Sequence, residues 1–478
     1  MVVTKSWRNG PDRECLDLRL DEPAGGGKAS GIGILAFEAA ATMCRLASLH
    51  RSLSDTENLK LRSDTMRSRG VAYLNSTDQA LLLRLACAEF IADLDRAAAA
   101  VSRLAFRCQG GLAQGFDRVY TDLKAGSAYP DRLGLSVKGV EKRMKRMERR
   151  VAATARLYEE MEVLAMLEAS NRKWDRYSGP IPLQKPSKAE TVKLELKSQR
   201  QKVLQLKEKS LWNQSYDMAV CLMAEAVCAV FARICTVFGP FVPGLPPVLV
   251  SRGTSRATVV PAPCKLRLYP RFPAKHSSGP LERPVVDNVI ITNSCPIFSS
   301  TKESEPKHWS RLLQPAPHTV GGAGLALRYA NAIALAEKVL MTRSNSSEPE
   351  KGEAAAREEL YEMLPAGLRA MVRSKLRDCW KQRGPKDGRM AQGWKEAVER
   401  ILAWLGPVAN DTIQWHEEQH MDRRQRFDRR PRVLMLQTLH FSDREKTEAA
   451  IVEVLVGLSC VCWYEERRRG SSRFPCKT

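Results

Sequence analysis

The chain has 478 residues, with 76 Lys and Arg against 54 Asp and Glu, for a formal net charge of +22. Its length suits two or three domains of about 150 residues each. A hydrophobic share of 44% is enough to bury a core and ordinary for a globular protein, which argues against disorder throughout and against a polytopic membrane protein. Thirteen cysteines, odd in number and scattered, fit reduced thiols in a reducing compartment better than a disulfide scaffold. The positive charge favours acidic partners, whether nucleic acid, anionic lipid or acidic protein surfaces, without choosing among them.

Residues 1–31 are polar and carry Gly25-Gly26-Gly27, a composition for a flexible arm. No apolar signal core follows Met1, and Val2 stands where N-myristoylation needs glycine. Helical spacing begins at Gly33 and runs to Leu53 through Leu35, Ala39, Met43, Leu46 and Leu49. Ser54 with Glu57 and Ser76 with Gln79 are capping-box patterns, predicting a helix that stops near Gly70 and another that runs to about Cys108. A short helix is predicted from about Leu112 to Lys124, ending at Gly126.

In 136–170, Val137, Val140, Met144, Met147, Val151, Thr154, Tyr158, Met161 and Ala165 form a heptad-like seam. Lys142, Arg143, Lys145, Arg146, Arg149 and Arg150 lie off it. After a break at Gly179-Pro180 through Pro186, a weaker seam over 188–238 completes a long antiparallel helical hairpin. Met218–Phe238 approaches membrane-spanning length, but Glu225 and Arg233 inside it favour a buried core helix. From 239 to 318 prolines crowd the chain, which predicts a basic, largely disordered linker. Helices are predicted near 321–343, 353–363, 366–382, 390–405, 408–428 and 443–465. Pro365, Gly384-Pro385, Gly406-Pro407 and Pro431 punctuate them, and a basic tail follows over 467–478. The fold class is therefore all-α, with an N-terminal helical domain (32–238) and a C-terminal one (319–466).

The motifs that carry chemistry are short. His416-Glu417-Glu418-Gln419-His420 is a literal H-E-x-x-H, which on a helix sets two imidazoles one turn apart for Zn²⁺, with Glu417 as base. Its charged surroundings, and the lack of a marked third ligand beyond Glu445 or Glu448, favour an exposed polar helix face. Gly31-Ile-Gly33-Ile-Leu-Ala36 resembles a dinucleotide fingerprint but precedes helix alone. Thr319-Val-Gly-Gly-Ala-Gly324 is either an anion-binding helix start or, the favoured alternative, a place where small residues allow close packing. Cys221, Cys228 and Cys235, seven residues apart, suggest one packed helix face. No catalytic residue, cofactor or metal site is expected. Arg423, Arg424, Arg429, Arg430 and Arg432 form a nuclear-import candidate beside Pro431. No recognised nucleic-acid module contains the basic runs.

Longer blocks carry more information. Gly33-Ile-Leu-Ala-Phe-Glu38, Ser48–Asp55, Leu81–Ala86, Phe116–Lys124, Met147–Ala155, Thr319–Asn331, Leu360–Pro365, Leu436–Leu439 and Asp443–Ala450 resemble the plant PSK-simulator (phytosulfokine simulator) family. The likeness covers about 33–238 and 319–465, two plant domains of unknown function. It implies a non-enzymatic helical regulator that promotes plant growth, linked to phytosulfokine peptide-hormone signalling and located in the nucleus. Cytoplasm or the peripheral plasma membrane is the alternative location. The implied partners are other proteins with acidic surfaces, engaged by 136–170 and 321–343, with weak nucleic-acid or anionic-lipid contact as the rival. No stable transmembrane anchor is expected.

Overall fold

The structure is a computed structural model that describes residues 31–108, 115–127, 137–177, 186–246, 306–345, 352–381, 388–419, 427 and 432–472. The predicted arm, most of the predicted linker and the end of the basic tail lie outside the described residues. Among the described residues the fold is all-α, with only two isolated β-bridges, Gly31 to Ser215 and Thr319 to Asp443.

In the N-terminal half the helices are α1 (Ala36–Ser52), α2 (Asp55–Lys60), α3 (Arg69–Leu74), α4 (Gln79–Ala105), α5 (Phe116–Lys124), α6 (Val137–Tyr177), α7 (Pro186–Lys209) and α8 (Tyr216–Phe238). The C-terminal half adds α9 (Pro306–Leu312), α10 (Ala326–Asn345), α11 (Gly352–Met363), α12 (Ala366–Lys381), α13 (Gly388–Gln419) and α14 (Arg444–Ser472). Ser54 caps α2 through the Glu57 amide, as its sequence pattern predicts. The predicted continuation to Gly70 does not form. A π-turn over Leu61–Thr65 interrupts it, and Ser68 caps the new helix α3 through the Val71 amide. Gly70 lies inside α3, where a Cβ would fall 2.6 Å from the Trp404 carbonyl oxygen, so its role is close helix approach rather than termination. The helix predicted from Leu112 starts at Phe116. The one predicted from Gly321 starts at Ala326, after a turn.

Gly406-Pro407 is predicted to end a helix, yet α13 runs unbroken through Pro407. Proline lacks the amide and crowds the carbonyl one turn back. Part of the remaining clash is with the Cβ of the preceding residue, and Gly406 has none. Leu402, Leu405, Val408 and Ala409, buried on both sides, hold the helix across the defect.

The chain forms two compact units that are not contiguous in sequence. The first contains α1, α4 from Asp93 onward, α5, α6, α7 and α8 up to Arg233. Here α7 packs back along α6. Gln199 donates to Glu160 at 2.7 Å and, further on, the Leu211 amide donates to Thr154 at 3.2 Å, so contacts recede along α6 as the chain advances. Leu157, Leu164, Leu196 and Val203 fill the seam. Phe37 of α1 lies edge-on to Tyr158 (5.2 Å) and Trp212 (5.9 Å). The second unit contains α2, α3, α4 up to Ala92, the end of α8, and α9 to α14. Its core joins Leu74 to Val320, Tyr329, Ile333, Leu402, Leu405, Leu439, Ile451 and Leu455. Helices α8 and α14 are long and apolar enough to cross a membrane, and both are mostly buried in the fold.

Candidate interaction surfaces

The longest helix presents a basic stripe. Lys142, Lys145, Arg146, Arg149 and Arg156 are exposed on α6. Their spacings of three, four and seven residues put them on one face, along about 21 Å of helix axis. Met144, Met147 and Val151, buried opposite, fix which face points outward. The remaining basic residues of the run have other uses. Arg143 pairs with Glu225 at 2.6 Å, which accounts for the acidic residue inside the apolar α8. Arg150 is half-buried, and burial together with Arg146 holds its guanidinium below its ordinary value. Glu148 on the adjoining face pairs with Arg51. Lys145 pairs with Glu141 one turn back at 2.9 Å, an exposed contact that leaves the stripe strongly positive. The sequence run marks 142–150; Arg156 extends it and is detectable only as the next step of seven after Arg149.

The second unit is tied together by polar groups from distant parts of the chain. Asn75, just after α3, donates to the Leu436 carbonyl (2.6 Å) and the Thr438 carbonyl (3.3 Å) and accepts from the Ser442 hydroxyl (2.6 Å). The Asp443 amide donates to the Leu74 carbonyl at 2.8 Å. Buried Glu89 on α4 accepts from the Trp415 indole (3.1 Å) and the Met435 amide (2.6 Å). Gln437 donates to Asp411 at 3.2 Å, and burial pushes that carboxyl up to about 6 despite the amide. His440, against Trp415 at 5.3 Å, is held below its ordinary value by burial. The glycine-rich turn closes the arrangement. The Val320 and Gly321 amides donate to the Ser442 and His440 carbonyls at 2.9 and 3.1 Å. A Cβ on Gly321 would meet the His440 carbonyl at 2.3 Å, and one on Gly322 the Ala316 carbonyl at 2.0 Å. These glycines serve close packing, and two of their neighbourhood's amides are already committed to carbonyls.

Of the sequence-marked residues, His416 is half-buried and Glu417 exposed on α13, while His420 lies outside the described residues. Glu448, weighed as a further ligand, accepts from Tyr329 and Arg444, both at 2.7 Å. Among the described residues no three His, Cys, Asp or Glu side chains gather as a metal site. The amides of Ile32 and Gly33 donate to the Gln214 and Trp212 carbonyls, so they do not form a phosphate cradle. Cys228 and Cys235 are buried, and burial pushes each thiol up to about 12, in keeping with a packed helix face. Arg423, Arg424, Arg429 and Arg430 lie outside the described residues, and Arg432 is half-buried. Helix α10, expected to offer a binding surface, turns one face into the core of the second unit and leaves Arg328, Asn331, Lys338 and Met341 exposed. Ala326, Tyr329, Ala330, Ile333, Ala336 and Val339 are all buried. Asn75 and Glu89 carry no local signal in the sequence, because their partners lie more than 300 residues away.

Two family models match the chain: a domain of unknown function, DUF3475, over residues 34–90, and a protein of unknown function, DUF668, over 319–414. Protein PSK SIMULATOR 1 of Arabidopsis thaliana is 27% identical over 442 residues, covering 90% of this chain and 56% of its own length. The chain is similar to the PSK SIMULATOR proteins. PSK SIMULATOR 3 and PSK SIMULATOR 2 of the same plant are 26% and 24% identical, covering 93% and 91% of this chain and 59% of each relative. The chain thus spans somewhat under three-fifths of the length of the curated relatives it matches. No solved structure matches it. The DUF3475 match runs across both compact units: α1 falls in the first, and α2, α3 and the start of α4 fall in the second, with the DUF668 helices.

Proposed function

We propose that this protein is a non-enzymatic regulator that promotes plant growth through phytosulfokine peptide-hormone signalling, acting in the nucleus as a helical protein-interaction scaffold. The observation that carries the reading is its similarity, over nine-tenths of its length, to three proteins named PSK SIMULATOR. A structural role for the polar residues is consistent with it. Glu89, Asn75, Ser442 and Gln437 each hold a backbone group rather than forming a reactive cluster.

The basic stripe of α6 is the surface for acidic protein partners, since it is exposed, one-signed and set on a rigid helix. A pull-down from plant extract with full-length protein tests this. Replacing Lys142, Lys145, Arg146 and Arg149 by Glu should abolish capture of the partners held by wild type, and unchanged capture would refute the surface. Deleting 319–465 is a poorer test, because it strips Leu74 and Asn75 of their packing and hydrogen bonds. The same stripe favours a second reading, charge-driven binding of nucleic acid or anionic lipid. That reading requires affinity to fall steeply with salt, and a flat response eliminates it. Nuclear import is assigned to Arg423, Arg424, Arg429, Arg430 and Arg432. Neutralising them in a fluorescent fusion should move the protein to the cytoplasm, and an unmoved fusion would refute the signal.

A further inference from the structure

Two thiols meet between α12 and α14, and neither takes part in the function above. The Cys379 Sγ lies 3.7 Å from the Cys460 Sγ, 81 residues apart in the chain. Contacts on either side hold the register. Lys375 pairs with Glu453 before the thiols, and the Trp380 ring meets the Trp463 ring edge-on at 4.7 Å after them. Both series ascend, so the helices run in the same sense here. Cys460 is fully buried and Cys379 half-buried. A disulfide needs its sulfurs about 1.7 Å closer than this, a distance that side-chain rotation and a slight helix shift can cover.

We propose that Cys379 and Cys460 are a redox modification site, joined in a reversible disulfide when a hydroperoxide oxidises Cys379. The asymmetry of the pair assigns the order of events. Burial, reinforced by Cys379, pushes the Cys460 thiol up to about 12, which makes it a poor first nucleophile. Solvent reaches Cys379. Its thiolate attacks one peroxide oxygen; the O–O bond breaks, and the departing hydroxide takes a proton to become water. Cys379 is left as a sulfenic acid. The Cys460 sulfur then attacks the Cys379 sulfur as its proton leaves. The S–S bond forms, the S–O bond breaks, and the second oxygen departs as water. Two thiols and one hydrogen peroxide thus give one disulfide and two waters, two electrons passing from sulfur to peroxide. A dithiol reductant reverses the bond by exchange. The product fastens α12 to α14 inside the second unit.

The test uses full-length protein exposed to equimolar hydrogen peroxide, alkylated, digested without reduction and mapped by mass spectrometry. A peptide pair linked through Cys379 and Cys460, lighter by two hydrogens and released by dithiothreitol, is the expected result. Fluorescence of the adjacent Trp380 and Trp463 should fall on oxidation and recover on reduction. The Cys462→Ser variant should form the same link, whereas Cys460→Ser should retain a trappable sulfenic acid at Cys379. Oxidation of Cys379 in wild type without the link, or a link from Cys379 to Cys462 or to a second molecule, would overturn the proposal. The wild-type map decides even if a variant fails to fold.

Discussion

Asn75 concentrates three hydrogen bonds in one side chain, two to carbonyls of 436–438 and one from Ser442. Asn75→Leu keeps the branched heavy-atom framework and removes the amide, leaving the Leu436 and Thr438 carbonyls and the Ser442 hydroxyl short of partners. An orphaned buried polar group costs about 1–3 kcal/mol, so urea denaturation should show a loss of at least that size; an unchanged midpoint would contradict the network. Asp411 gives a pH signature. Its carboxyl titrates near 6 in the fold, against about 4 in the unfolded chain. The native state therefore binds the extra proton between those values, and this group's contribution to stability falls as pH rises through the window. His440, lowered by burial, contributes the opposite slope below its ordinary value. Asp411→Asn should remove the falling component and raise the melting temperature at pH 7 relative to wild type, with little difference at pH 4. The reverse ordering would refute the burial account. The glycine-rich turn is legible in sequence as a close approach, but its distant partner, the His440 carbonyl, is not, because no local pattern encodes a contact across 119 residues.

At the scale of elements, α6 shows what periodicity predicts and where it drifts. The seam predicted from Met144 through Met147, Val151 and Thr154 is buried. Beyond Thr154 the buried positions are Leu157 and Leu164 rather than Tyr158 and Ala165. Leu157 and Leu164 cluster with Leu196 and Val203 of α7, so the buried face here follows the partner helix rather than a fixed seven-residue repeat. Leu164 is 5% exposed and Val163 38%. Leu164→Ala should cost about 2–5 kcal/mol, while Val163→Ala should cost clearly less; equal losses in thermal melts would place the seam wrongly. The capping serine of α2 is satisfied as its sequence pattern predicts, but at the start of α4 the Ala80 and Leu81 amides donate to the Asp78 carboxylate rather than to the predicted Ser76. The run through Pro407 was illegible for the opposite reason: local chemistry marks a stop, and buried neighbours on both sides override it.

At the scale of the molecule, the all-α class follows from periodicity, but the association of Leu53–Ala92 with the C-terminal helices does not. Hydrophobic spacing reports which face is buried and not which distant segment buries it. The net charge of +22 also gains a partial location, since one share of it is the exposed face of α6. Together these features are a buried polar frame in the second unit and an outward basic stripe on α6. Complementation of growth tests the central claim most directly. Root elongation would be measured in plants lacking this protein and re-expressing either wild type or the folded variant with Lys142, Lys145, Arg146 and Arg149 changed to Glu. Wild type should restore growth and its response to phytosulfokine while the variant does not; no restoration by wild type, or equal restoration by both, would contradict the account.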